Sequence, residues 1–192
     1  MTLIFLNFDI TIKGSGPQTV LKRGSSFGLT RNSVAFDIDS TNTANELFVI
    51  GYGFDDDEVL NGVTIENLTY HGMESPETMA DCIINIRHNV LVSGNTDEHH
   101  IIIRDIRFVA GPTYAVDNSG SEAIWAADSR PNEMPIVIGY SDSGRYENIT
   151  IEGCYFDKIG YGKGVIYLCS DNGYRNINVI GNTSRRSIDS SY

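Results

Sequence analysis

A short strand-corner-strand motif returns along the whole of this chain and constrains what it can fold into. Four copies align by eye: Val63-Thr64-Ile65-Glu66-Asn67-Leu68-Thr69-Tyr70, Ile101-Ile102-Ile103-Arg104-Asp105-Ile106-Arg107-Phe108, Ile149-Thr150-Ile151-Glu152-Gly153-Cys154-Tyr155-Phe156 and Ile177-Asn178-Val179-Ile180-Gly181-Asn182. A fifth, Ile10-Thr11-Ile12-Lys13-Gly14-Ser15, opens the chain. Each begins apolar-x-apolar, the period of two that buries one face of a strand. Each then places Gly, Asn or Asp at one fixed position: Gly14, Asn67, Asp105, Gly153 and Gly181. These residue types tolerate a left-handed backbone, so the position reads as a corner. Alternation then resumes, with Leu68 and Tyr70, Ile106 and Phe108, and Cys154 and Phe156 facing inward.

The corners are unevenly spaced, widest between Gly14 and Asn67 and closest between Gly153 and Gly181. Uneven spacing suits a solenoid whose coils carry loops of different length on one side. Between the motifs lie further short apolar runs: Ala35–Asp39, Ile83–Arg87, Ala123–Ala127 and Val165–Leu168. Two or three strands per coil follow, with neighbouring coils separated by ~4.8 Å. Helical periodicity is absent, and Pro76–Asp81 supports one turn at most. An antiparallel sandwich would also use short strands, but hairpin pairs are confined to Asn61-Gly62 and Asn172-Gly173. The expected fold is therefore all-β, a right-handed parallel β-helix of roughly five or more coils with irregular loops. Residues 1–192 are expected to form one such domain. A solenoid leaves strand edges open unless they are capped. The strand-like start and the polar end, Arg185 to Tyr192, point either to a segment of a longer protein or to neighbouring chains covering the ends.

Composition narrows the function classes. With 41% hydrophobic residues the chain has enough apolar side chains for a core. Its net charge of −11 disfavours a nucleic-acid partner or docking on anionic lipid, both of which need a basic face. Three widely spaced cysteines without a C-x-x-C pair do not suggest a disulfide framework or a zinc site. No run is long enough for a membrane span. The apolar opening lacks a basic flank and meets Asp9 too early for a signal peptide. The sequons at Asn67, Asn148 and Asn182 coincide with strand ends and corners, where backbone geometry already explains asparagine.

Candidate chemistry is expected on the second set of strands. With Phe36, Ile38, Ile84, Ile86, Ile124, Ala126, Ile166 and Leu168 inward, alternation turns Asp37, Asp39, Asn85, Arg87, Trp125 and Tyr167 outward. Aligned on successive coils, these residues would supply aromatic faces for pyranose rings and polar groups for sugar hydroxyls. Asp37 and Asp39, ~6.8 Å apart along one strand face, have a separation suited to the two carboxylates of glycoside hydrolysis. Asp128, close after Trp125, is a third candidate. Asn85, Arg87, Trp125 and Tyr167 are the candidate substrate-binding residues. Ordinary solvated acids, and a Trp125 buried beneath a loop, are the competing reading. The loop Asp55-Asp56-Asp57-Glu58 is rich enough in oxygen for calcium, without EF-hand spacing. No other metal site or cofactor is expected. The paired His99-His100 would point to opposite faces of a strand.

The stretches DITIKGSGPQTVLKR, VTIENLTYHG, ITIEGCYFDKIG and GVIYLCSDNGYRNINVIGNTS resemble the pectate-lyase-like right-handed β-helix superfamily. Within it they look most like bacteriophage tailspike and polysaccharide-depolymerase β-helices. The resemblance covers most of the chain and lies in its corners, which lyases, hydrolases, epimerases and non-catalytic spikes share. It implies an extended carbohydrate ligand, here a bacterial surface polysaccharide, a homotrimer, and a place on a virion tail or outside the cell. It also implies catalytic carboxylates on an outer face or between subunits. The polygalacturonase set of Asn-Thr-Asp, Gly-His-Gly and Arg-Ile-Lys is not assembled in this chain, nor is a lyase calcium cluster followed by an arginine. Two functions follow as expectations: recognition, with hydrolase or lyase cleavage, of a polysaccharide; or a non-catalytic structural spike, fibre or decoration protein.

Overall fold

A computed structural model describes residues 4–6, 10–22, 46–51, 62–71, 82–86, 100–109, 134–139, 146–157, 165–169 and 173–185. All regular structure among them is strand. The elements are β1 (Ile4–Leu6), β2 (Ile10–Lys13), β3 (Val20–Lys22), β4 (Glu46–Ile50), β5 (Val63–His71), β6 (Cys82–Ile86) and β7 (Ile101–Val109). They continue with β8 (Met134–Gly139), β9 (Tyr146–Glu152), β10 (Tyr155–Asp157), β11 (Ile166–Cys169), β12 (Tyr174–Ile180) and β13 (Thr183–Arg185). Every strand pairing is parallel. Five strands form one sheet in the order β1-β4-β6-β8-β11. The rest form a second sheet, in which β2 and β3 lie on β5, β5 on β7, β7 on β9 and β10, and these on β12 and β13. Along the chain the strands alternate between the sheets, and each return lands beside the previous strand of the same sheet. This path is consistent with a β-helix.

Parallel pairing in register stacks like on like. In the second sheet Ile12, Ile65, Ile103, Ile151 and Val179 occupy one column. Past the corner, Tyr70, Phe108 and Phe156 occupy another. In the first sheet Phe48, Ile84 and Ile136 align, as do Ile50, Ile86 and Ile138. All of these except the end members Ile12 and Val179 are buried in a single core cluster. The rings of Phe108 and Phe156 lie 5.1 Å apart and nearly parallel, 4° between planes. A continuous column of this kind is how a solenoid buries residues that one coil could not bury alone.

The corners form a column of their own. Asn67, Asp105, Gly153 and Gly181 all take positive φ, between 52° and 62°. Gly14 does not, which corrects the sequence reading at that position. Its rung turns through the longer segment Gly14–Thr19, which folds against the next rung: Gly14 N and Gly16 N donate to the carbonyls of Glu66 and Asn67, and Thr69 N donates to Thr19 O. A Cβ on Gly14 would stand 2.0 Å from Asn67 O, so glycine is needed there for close approach. A second left-handed pair, Asn148 and Asn176, lies on adjacent rungs, with the Asn176 side chain donating to that of Asn148. This supports the backbone explanation given above for Asn148.

Two positions in the first sheet are taken by segments other than those expected there. The place between β6 and β11 belongs to Met134–Gly139, not to Ala123–Ala127, which lies outside the described residues. Pro135 disguised it, because proline lacks a ladder donor and argues against an internal strand. Here it falls beside the strand's first residue, and donation resumes at Ile136, whose N–H bonds Val165 O. Likewise β4 lies directly between β1 and β6. Ala35–Asp39, also outside the described residues, was expected in this sheet, and the unbroken apolar run Leu47–Ile50 takes the position.

Candidate functional site

The column expected to carry the chemistry runs, in register, through Phe5, Val49, Asn85, Val137 and Tyr167. Val137 holds the place between Asn85 and Tyr167 that was assigned to Trp125, and Val49 holds the place on the other side of Asn85. Asn85 itself is 0% exposed, and Val49 and Val137 are equally buried although they stand outside the main core cluster. Asn85 was expected on an open surface; its side chain is instead enclosed. Tyr167 remains half-exposed. Asp37, Asp39, Arg87, Trp125 and Asp128 lie outside the described residues, as do Asp55, Asp56, Asp57 and Glu58 of the candidate calcium loop. No group of three or more His, Cys, Asp or Glu placed to hold a metal occurs among the described residues. Among the described residues there is no helix long and apolar enough to cross a membrane.

Outward polar chemistry gathers instead on the second sheet. Before the corner, Lys13, Glu66, Arg104 and Glu152 share one column. Lys13 Nζ lies 2.7 Å from Glu66 Oε1, Arg104 Nε bonds Glu66 Oε2, and Arg104 Nη1 is 3.8 Å from Glu152 Oε1. Charges alternate from rung to rung, so each carboxylate has a cation on a neighbouring rung. Glu66 is buried between its partners. Hydrogen bonds from Lys13 and then Arg104 hold its carboxyl below the ordinary carboxylate value, outweighing desolvation. The same contact raises the Arg104 guanidinium. This column is internally satisfied and reads as structure.

After the corner the face is less satisfied. Arg107 and Tyr155 are register partners on adjacent strands, and the Arg107 guanidinium carbon lies 5.3 Å from the centre of the Tyr155 ring. Arg107 Nη2 is 3.8 Å from Asp157 Oδ2, too long for a hydrogen bond. Asp157 Oδ1 is buried and has no hydrogen-bond partner. Phe156 holds the strand beneath by its stack on Phe108, so Tyr155 and Asp157 on either side of it face outward. Thr183 and Arg185 continue the same two columns on the next rung. An aromatic ring and a guanidinium thus meet on one surface, beside a largely buried carboxylate whose unpaired Oδ1 is closed to solvent. These are the groups sought on the first sheet. The alternation around Cys154 and Phe156 already implied an outward Tyr155; placing the candidate chemistry on the other set of strands concealed it.

Cys154 lies under this face, and burial pushes its thiol up to about 11. It is therefore a protonated core residue near neutral pH and no nucleophile. One member of the polygalacturonase set, Asn95-Thr96-Asp97, does occur in the sequence, outside the described residues; the other two tripeptides do not occur. No protein-family model, no curated protein and no solved structure matches this chain.

Proposed function

We propose that the chain is a right-handed parallel β-helix of roughly five coils, of the pectate-lyase-like kind, and that it recognises a bacterial surface polysaccharide as part of a phage tailspike or depolymerase. The observation that supports recognition is the grouping of Arg107, Tyr155 and Asp157 on the outer face of the second sheet. A tyrosine ring offers an apolar face to a pyranose, while the exposed guanidinium of Arg107 donates to its hydroxyls. A rigid parallel sheet fixes their spacing, which suits a repeating ligand. The placement on a virion tail or outside the cell and the homotrimer belong to the same proposal and rest on the resemblance. A mass of three chains in sedimentation is the expected result for the trimer.

Affinity electrophoresis in gels containing capsular or O-antigen polysaccharide tests recognition. Wild-type protein is expected to be retarded, and Tyr155→Ala to run as in a blank gel with unchanged circular dichroism. New reducing ends in the same incubations would identify a hydrolase, and unsaturated uronates a lyase. Absence of retardation and of both products across the panel defeats the proposal. A second reading, a non-catalytic structural spike, fibre or decoration protein, is favoured by the burial of Val49, Asn85 and Val137, the column on which a catalytic groove was expected.

A further inference from the structure

We draw no further inference here: the strongest candidate, the surface patch on the outer face of the second sheet where Arg107 and Arg185 stand on the rungs before and after Tyr155, belongs to the site already described.

Discussion

A methyl group on Gly14 would stand 2.0 Å from the carbonyl oxygen of Asn67, whereas one on Gly181 would meet nothing within 4 Å. The two glycines therefore fail differently. Gly14→Ala forces backbone apart and should cost about 3 kcal/mol. Gly181→Ala only strains a left-handed corner and should cost about 1 kcal/mol. Urea titrations of both variants measure the difference, and equal losses would mean that the first rung yields as easily as the last. Glu66 makes a separate prediction. Its carboxyl titrates below the ordinary value of 4.5, so its ion pairs contribute stability that is complete above that value. The contribution is lost as pH falls through the lowered folded-state value. Glu66→Gln should thus be less stable than wild type near neutral pH, with the gap closing in acid. A gap independent of pH would show that shape, not charge, matters at this site.

Corners join one element to the next, and their hydrogen bonds come from side chains as well as from the ladder. Asn182 accepts from Cys154 N at 2.8 Å and donates to Ile151 O at 2.9 Å, bridging the corner at Gly153 on the rung before it. Gly153 N and Thr183 N complete the link through Ile180 O and Cys154 O. Asn182→Ala leaves a donor and an acceptor unmade and should cost about 1–3 kcal/mol, with hydrogen-exchange protection falling first in β10 and β13. Unchanged exchange there would mean that the ladder holds the corner without the side chain. Strand positions were legible wherever the sequence alternated cleanly, as in β5, β7 and β9. They were not legible in β4, an unbroken apolar run, or in β8, where Pro135 breaks the expected pattern. Alternation reports one buried face, and these strands are buried on both.

Burial on both faces of the first sheet is a property of the whole molecule. Val49, Asn85 and Val137 point away from the main core and are still enclosed. Asn85→Asp places a charge in that enclosed layer and should cost about 3–5 kcal/mol at neutral pH. The loss should shrink in acid, where the carboxyl is neutral. Thermal unfolding at two pH values measures this, and a neutral substitution would return Asn85 to an open surface.

The sequence by itself determined the cleanly alternating strands β5, β7 and β9, the corner column from Asn67 to Gly181 and the parallel stacking. Each of these follows from local periodicity and from which residues accept a left-handed backbone. It also contained, unread, the outward Tyr155. Which segment filled each rung and which outer face stayed open were decided only in the tertiary structure. Register pairs residues far apart in the chain, and exposure depends on what lies over a strand as much as on the strand itself.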